Sequence, residues 1–233
     1  MEQILRGGLG ALGVRADEAA VGRLVRYAAL LEEKNRVMNL TAIEGAEEVA
    51  RLHFLDCAAL LTLPEFTGGT LLDVGSGAGF PGLVLKILRP ELAVTLLDSL
   101  DKRVSFLRET GEALGLEGLQ CLHARAEEPE SEMRESFALV TSRAVARLRV
   151  LCELCLPYVA VGGVFVAMKG PEPEEELRES ARAIRLLGGE YERTALYTVP
   201  GTEITHSAVV IRKLSPTPPK YPRRGAQMKK TAL

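Results

Sequence analysis

A short apolar run that ends in a cluster of glycines constrains this chain more than any other stretch. Residues 70–74 have the composition of a buried strand, and apolar residues recur at helical spacing from Leu83 onward. Four glycines lie between the two elements: Gly75, Gly77, Gly79 and Gly82. Because glycine has no Cβ and tolerates positive φ, this turn can be tight and can let a ligand touch the backbone. The stretch therefore predicts a nucleotide-type cofactor loop at the carboxyl end of a first strand.

The glycine spacing alone does not identify the cofactor, because Gly77, Gly79 and Gly82 satisfy G-x-G-x-x-G, which also serves nicotinamide and flavin enzymes. Two acidic residues favour S-adenosylmethionine over a dinucleotide. Asp73 lies two residues before the first glycine, where a carboxylate can hold the charged amino-acid end of that cofactor. Asp98 ends the next apolar run, near the roughly 20-residue spacing at which an acid meets ribose hydroxyls.

Strands and helices alternate from Thr70 onward, which predicts a parallel sheet with helices on both faces. We predict strands at 70–74, 93–97, 119–123, 137–141 and 163–168, and helices at 81–89, 101–114, 144–160 and 174–187. Tyr191–Val199 and Ser207–Ile211 lie too close for a crossover helix, so they predict a terminal antiparallel hairpin. The predicted fold class is α/β, a Rossmann-like sheet of the class I S-adenosylmethionine-dependent methyltransferases.

Two amphipathic helices are predicted ahead of the first strand, at 17–38 and 46–62. This is more helix than a bare α/β sheet needs. The predicted organisation is an N-terminal helical extension (1–66), a methyltransferase domain (67–213) and a basic, proline-containing tail (214–233). Four prolines in the first half of the tail predict an extended, semi-rigid arm.

Charge is distributed unevenly along the chain. The net charge is −2, but Glu203 is the last acidic residue and seven Lys and Arg residues follow it. An acidic body with a basic end indicates a localised contact with a polyanion rather than non-specific coating of nucleic acid. The alternative for such a tail is a disordered, solubilising end.

Several classes of protein are excluded by composition. No apolar run approaches the roughly 18 residues of a membrane span, and the first residues do not resemble a signal peptide, so we expect a soluble, cytoplasmic protein. Cys152 and Cys155 form a C-x-x-C within an apolar helical stretch, where core packing is favoured over metal or redox chemistry. The three histidines make no metal-ligand spacing, and we predict no metal.

The chain resembles the bacterial ribosomal RNA small-subunit methyltransferase G family, also called glucose-inhibited division protein B. The resemblance rests on blocks spread over most of the sequence: 39–43 (NLTAI), 53–56 (HFLD), 73–82 (DVGSGAGFPG), 142–144 (SRA), 169–170 (KG) and 220–223 (KYPR). It implies S-adenosylmethionine-dependent methylation of N7 of one guanine, number 527, in the decoding-region loop of 16S rRNA. The product of the cofactor would be S-adenosylhomocysteine.

The resemblance also implies roles for individual residues around the cofactor. Besides Asp73, the expected cofactor-binding residues are Gly75, Gly77, Gly79, Phe80, Asp98, Ser99, Ala126, Glu127 and Arg143. Asp98 and Ser99 would meet the ribose, and Ala126 and Glu127 the adenine. Two alternatives stay open, since Asp98 can instead cap the following helix and Glu127 can be a surface acid.

Arg143 follows the fourth strand, where folds of this class hold the acceptor, and we expect its planar head to orient the guanine or the cofactor as the catalytic arginine. The alternative is an arginine paired with a surface acid. Guanine N7 carries an unprotonated lone pair, so no general base is required, and in-line placement is the main task. The expected RNA-binding residues are Lys169, Lys220, Arg223, Arg224, Lys229 and Lys230.

The expected partner is 16S rRNA, in the small ribosomal subunit or in an assembly intermediate, with the protein acting as a monomer. Two other functions stay open from the residues alone. A nicotinamide-dependent oxidoreductase could use the same glycine turn, although the terminal hairpin disfavours it. A non-catalytic RNA-binding or ribosome assembly factor could keep the fold without transferring a methyl group.

Overall fold

A seven-stranded sheet forms the centre of the protein. We describe it from a computed structural model, which covers residues 1–230 and 233, except the side chains of Ala226, Lys229 and Lys230. The strands are β1 (Thr70–Val74), β2 (Ala93–Asp98), β3 (Leu119–His123), β4 (Phe137–Arg143), β5 (Val159–Lys169), β6 (Gly189–Thr198) and β7 (Thr205–Lys213). Their order across the sheet is β3-β2-β1-β4-β5-β7-β6. The first five strands are parallel and β7 is antiparallel to both of its neighbours, which confirms the predicted fold class and terminal hairpin.

Helices cover both faces of this sheet. The α-helices are α1 (Glu2–Ala11), α2 (Glu18–Met38), α3 (Ala46–Val49), α4 (Asp56–Ala58), α5 (Gly82–Leu88), α6 (Asp101–Ala113), α7 (Leu148–Cys155), α8 (Glu174–Leu186) and α9 (Gly225–Lys230). A π-helical stretch, Ala50–Leu55, joins α3 to α4, and a 3-10 turn, Ala59–Thr62, follows. The single helix predicted at 46–62 is therefore a chain of four short helical pieces.

The two faces are buried because successive residues of a strand point to opposite sides of the sheet. In β1, Leu71 packs with the N-terminal helices, α5 and α6, whereas Leu72 packs with α7, α8 and the tail. The predicted N-terminal extension thus shares the core of the sheet. The predicted division at residue 66 stays a prediction, but the structure gives the extension a clear position as one wall of that core.

The sequence did not indicate α1, which contains three glycines and has weak intrinsic helix propensity. Tertiary packing stabilises it instead. Leu5 and Leu9 are buried, and Gly8 lies so close to the helical segment behind it that an added Cβ would be 2.2 Å from Leu55. A side chain at this glycine would separate α1 from the core.

The helix predicted at 144–160 is wrong at both ends. Ala144 has a φ of +56°, so the chain leaves β4 through a left-handed turn, and α7 begins at Leu148. A 3-10 turn, Leu156–Tyr158, ends the helical part, and β5 begins at Val159, four residues earlier than the predicted start at 163. The early turn brings residues 144–145 to the edge of the sheet, where they line a cavity.

The tail is not the extended arm predicted from its prolines. Arg134 donates hydrogen bonds to the carbonyl oxygens of Thr217, Pro218 and Tyr221 at 2.8–3.2 Å. Arg223 forms a two-pronged pair with the buried carboxylate of Glu153. Because the body supplies partners for the polar groups of the tail, the prolines shape a packed strap that ends in α9. In the described part of the chain, no helix combines the length and apolar character needed to cross a bilayer.

Candidate active site

A cavity of about 430 Å³ opens at the carboxyl ends of β1, β2 and β4, and we call it the first cavity. Eight of the predicted cofactor residues line it: Gly75, Gly77, Phe80, Asp98, Ser99, Ala126, Glu127 and Arg143. Gly79 and Asp73 do not. Topology explains why the others meet, since the carboxyl ends of parallel strands lie at one edge of the sheet. Three N-terminal residues that were given no role in cofactor binding, Leu40, Thr41 and His53, also line the cavity.

Hydrogen bonds attach the glycine loop, residues 75–82, to the end of β2. The amide N–H groups of Gly75 and Ser76 both donate to the carbonyl oxygen of Leu97, at 2.8 and 3.1 Å, and that of Gly77 donates to Asp98 Oδ2 at 2.9 Å. Gly75 and Gly77 have positive φ, which explains why the turn needs glycine there. Within residues 75–80, all described, the N–H of Ala78 is the one left without an acceptor. It can therefore receive an anionic group.

Asp73 does not reach the cavity, so its expected contact with the amino-acid end of the cofactor is corrected. Its side chain is fully buried under the loop, where Oδ2 accepts from the N–H of Gly82 at 3.0 Å. It therefore caps the first turn of α5. Burial raises the pKa of Asp73 to about 7. Its role is to hold the loop against the helix.

Gly79 supports the loop from the opposite side. Its φ is +106°, and an added Cβ would be 2.6 Å from the hydroxyl oxygen of Tyr27 on α2. That hydroxyl donates a hydrogen bond to the carbonyl oxygen of Ala78. The sequence did not single out Tyr27, because it looks like any apolar residue of an amphipathic helix. The N-terminal extension therefore helps to shape the loop.

Asp98 caps the following helix, which was one of the alternatives left open for it, and its contact with the ribose stays a prediction. Oδ1 accepts from the N–H of Leu100 at the start of α6, and Oδ2 accepts from Gly77. It also lines the cavity, with Arg103 at 3.5 Å. A carboxylate has about four acceptor positions, so it can cap the helix, anchor the loop and still meet a ligand hydroxyl. Ser99 lies beside it at the cavity wall.

At the other side of the cavity, Glu127 is not an isolated surface acid. Its side chain is 16% exposed, and Arg125 lies 3.3 Å from it. The first residue of α9 packs against it, since a Cβ added at Gly225 would be 2.7 Å from Glu127 Oε1. Ala126 is buried, and its carbonyl oxygen accepts from the Tyr158 hydroxyl at 3.0 Å. The tail therefore reaches the wall of the first cavity.

Arg143 pairs with a buried acid rather than a surface one. Its guanidinium donates to Asp56 Oδ2 at 3.0 Å and to His53 Nδ1 at 2.8 Å, and its carbon lies 4.9 Å from the ring centre of Phe80. Asp56 also accepts from the Tyr197 hydroxyl and from His206. Burial opposes the ionisation of Asp56, but these hydrogen bonds and the positive charge of Arg143 outweigh it and lower its pKa.

His53 has a fixed tautomer. Because Nδ1 accepts from Arg143, Nε2 carries the proton and donates to Thr41 Oγ1 at 2.8 Å. Burial and the positive charge of Arg143 lower the pKa of His53 to about 3, so the ring is neutral at physiological pH. The ring stacks on Phe80 with a centroid distance of 4.1 Å. From the sequence, His53 belonged to the 53–56 block and was a possible RNA contact together with Arg51, but it had no expected place beside Arg143.

A second cavity, of about 530 Å³, adjoins the first and shares His53, Arg143 and Ala144 with it. We call this shared wall the junction. Lys169 lies in the second cavity, but its ammonium group contacts Glu176 at 2.7 Å and the Ala146 carbonyl oxygen at 3.1 Å. Lys169 is therefore held by the protein rather than presented as an open cation.

The predicted RNA-binding residues of the tail are not equivalent. Arg223 is committed to Glu153, whereas Arg224 is exposed and Lys220 lies 5.3 Å from the ring centre of its neighbour Tyr221. The side chains of Lys229 and Lys230 lie outside the described residues. Within the described part of the chain, no three His, Cys, Asp or Glu side chains are grouped to hold a metal ion.

Comparison with known proteins shows which family the chain resembles. A family model described as rRNA small subunit methyltransferase G matches residues 21–202. Ribosomal RNA small subunit methyltransferase G of Alkaliphilus metalliredigens is 48% identical over 228 residues, covering 96% of this chain and 95% of the relative. The protein of that name from Clostridium tetani is 42% identical over 233 residues, covering 99% and 98%.

Solved structures show the shared fold. A SAM-dependent methyltransferase from Aquifex aeolicus aligns with a TM-score of 0.51 at 22% identity, over 70% of this chain and 92% of that one. Together with the family model and the two relatives, these findings confirm the resemblance seen in the sequence blocks. The chain belongs to the rRNA small subunit methyltransferase G family.

Proposed function

We propose that this protein transfers a methyl group from S-adenosylmethionine to N7 of one guanine, number 527, in the decoding-region loop of 16S rRNA. S-Adenosylmethionine supplies an electrophilic methyl group on a sulfonium. The residues of the first cavity suit it. Asp98 has free acceptor capacity for ribose hydroxyls, and the Ala78 N–H can receive a carboxylate. Ala126 and Glu127 would flank the adenine.

The observation that carries N7 as the acceptor atom is that the two proton acceptors beside Arg143, His53 and Asp56, are already hydrogen-bonded. Both nitrogens of His53 are hydrogen-bonded, and both carboxylate oxygens of Asp56 accept from cationic or hydroxyl donors. Neither side chain is poised to take a proton from a substrate. A nitrogen that already presents a lone pair needs no such base, whereas an amino or hydroxyl acceptor must lose a proton. This arrangement favours N7.

We place the acceptor nucleotide in the second cavity, with the edge of its base that carries N7 and O6 reaching past His53 and Arg143 toward the first cavity. The second cavity lies beyond the ends of β4 and β5 and meets the first cavity at Arg143. Apolar side chains, including Leu52, Met168 and Ile204, line it and can pack on a base. The guanidinium of Arg143 is held by Asp56 and His53. We therefore assign Arg143 a role in positioning the residues around it rather than in binding the substrate directly. Holding two reactants in line can contribute up to roughly 7–11 kcal/mol.

We propose that the protein acts as a monomer in the cytoplasm. Transfer of tritiated methyl groups to small subunits from cells that lack the enzyme tests the activity, and mass mapping of the rRNA tests the target. We expect one guanine of 16S rRNA to gain a methyl group at N7.

Calorimetric titration with S-adenosylmethionine and with NADH tests which cofactor the protein binds. Binding of both cofactor and rRNA without methyl transfer would favour an assembly factor instead, and binding of NADH an oxidoreductase.

A further inference from the structure

The hydroxyl of Thr41 is a donor with a direction fixed by the protein. Oγ1 accepts from the N–H of Ile43 at 3.0 Å and from Nε2–H of His53 at 2.8 Å. The second donation is obligatory, because Nδ1 of the same ring accepts from Arg143. A hydroxyl oxygen has two lone pairs, and both are used. The hydroxyl proton has no acceptor among the described residues and is left for a ligand of the first cavity, which Thr41 lines.

The location of the Thr41 hydroxyl indicates which ligand it would bind. Thr41 lies one hydrogen bond beyond His53, and His53 belongs to the junction where the acceptor would approach. Phe80, which stacks on His53, also lines the first cavity. The ribose and adenine residues, Asp98 and Glu127, line other parts of the wall, after β2 and β3. The donor therefore serves the end of the cavity where acceptor and methyl group would meet.

The chemistry of a purine edge then distinguishes guanine from adenine. Guanine presents N7 and O6, both acceptors, on one edge, whereas adenine presents N7 and an amino donor. N7 must stay free to attack, so a hydroxyl donor beside it can pair only with O6. The adenine amino group would place a donor against a donor. A single oriented hydroxyl can thus contribute to both alignment and base choice.

We propose that Thr41 is a specificity-determining residue whose hydroxyl donates a hydrogen bond to O6 of the acceptor guanine and so holds N7 toward the methyl donor. The inference rests on the proposed function. It assigns to the N-terminal extension a direct part in choosing the base. His53 and Arg143 act behind Thr41 as positioning residues, because they make Oγ1 an acceptor toward His53 and so leave the hydroxyl proton for a ligand.

The test combines Thr41→Val and Thr41→Ser with modified substrates. Small subunits are reconstituted from rRNA in which the target is guanine, 2-aminopurine, which lacks O6, or inosine, which keeps O6 and lacks the 2-amino group. We expect Thr41→Val to lower kcat/KM about tenfold on guanine and on inosine, the effect of one hydrogen bond. On 2-aminopurine, we expect the loss in Thr41→Val to be no more than about threefold, because only the contacts of Oγ1 with Ile43 and His53 are then removed. Such non-additivity reports a direct interaction.

Thr41→Ser is the matched control, because it keeps the hydroxyl, and its kcat/KM should stay within about twofold of wild type. An equal loss for Thr41→Val on guanine and 2-aminopurine would overturn the inference while leaving the proposed function intact. A tenfold weaker Kd for S-adenosylmethionine in Thr41→Val, measured by calorimetry, would overturn it too, by assigning the hydroxyl to the cofactor. Failure of the wild type to methylate guanine would overturn the proposed function, and this inference with it.

Discussion

Arg143 and Asp56 form an ion pair of 3.0 Å between the end of β4 and the start of α4. Their side chains are 16% and 2% exposed. The pair joins the sheet to the N-terminal extension, with Arg143 lining both cavities and Asp56 lining the second. A buried pair of this kind is costly to break, because removal of one partner leaves the other charge desolvated.

Arg143→Ala is therefore expected to lower stability as well as activity. Loss of one partner of a buried pair costs about 3–5 kcal/mol, and His206, which also contacts Asp56, should reduce this to about 2–4 kcal/mol. We expect methyl transfer to fall at least about 100-fold, because His53 loses the donor that fixes its tautomer. Urea denaturation and single-turnover transfer measure the two effects.

The matched control is Arg178→Ala, which removes an exposed arginine of α8 that lines neither cavity. Its stability should stay within about 0.5 kcal/mol of wild type. The double variant Arg143→Met/Asp56→Asn should cost less than the sum of its single changes, because neither charge is left alone. Additive losses would show that the pair does not act as a unit.

Asp73 predicts a pH dependence of stability. Its pKa in the folded protein is about 7, against an ordinary aspartate value of 3.8, so the folded state keeps a proton that the unfolded state has lost between these two pH values. The free energy of unfolding therefore falls as pH rises from about 4 to about 7. Asp73→Asn keeps an oxygen for the Gly82 N–H but does not ionise, and it should lose less stability by a difference on the order of 1–4 kcal/mol. If the free energy of unfolding of the two proteins changed equally between pH 4.5 and 7.5, that result would contradict the shifted pKa.

The sequence predicted the sheet and most of the first cavity because both depend on local patterns. Alternating apolar runs and helical periodicity located the strands, and the glycines located the loop. The strand ends then brought Asp98 and Glu127 to one edge. Asp73 was misplaced because spacing does not tell which side of a strand faces the cavity. The extended, semi-rigid arm predicted from the prolines was wrong, because no local pattern indicates that Arg134 and Glu153 lie opposite the tail.

The hydrogen-bonded residues around Arg143 show a second limit of prediction from sequence. Thr41, His53 and Asp56 belong to blocks that carry the family resemblance, yet their spacing fits an ordinary turn and helix. Their role depends on Arg143, about 90 residues away, and on the tautomer that it imposes on His53. Contacts of this range are set by how the extension packs on the sheet. A buried polar residue in an otherwise apolar helical face, such as His53, was the one usable signal.

Tyr27→Phe tests whether the extension shapes the cofactor loop. The change removes the hydroxyl that donates to the Ala78 carbonyl oxygen but keeps the ring stacked on Phe54. An unsatisfied buried acceptor costs about 1–3 kcal/mol, and we expect that loss of stability. Because the amide N–H of Ala78 is the free donor of the loop, we also expect Kd for S-adenosylmethionine to rise about three- to tenfold. Calorimetry measures this change, and Tyr191→Phe, at an exposed position of β6, is the control.

Substitutions of Arg223 and Arg224 should separate two roles of the tail, its packing against the body and its contact with RNA. Arg224 is exposed, so Arg224→Ala should weaken RNA binding and reduce the slope of log K against log salt by about 0.7–0.9, the effect of one phosphate contact. Arg223→Ala should act differently, because its guanidinium is held by Glu153, whose side chain is 2% exposed. Removing it leaves a buried charge and loosens the strap, so we expect faster proteolysis within residues 214–224 and a salt slope that changes by less than about 0.3. Arg223→Ala could instead flatten the salt slope while residues 214–224 stay protected from proteolysis. That result would show that the ion pair with Glu153 opens when RNA binds, so that Glu153 releases Arg223 instead of holding it permanently.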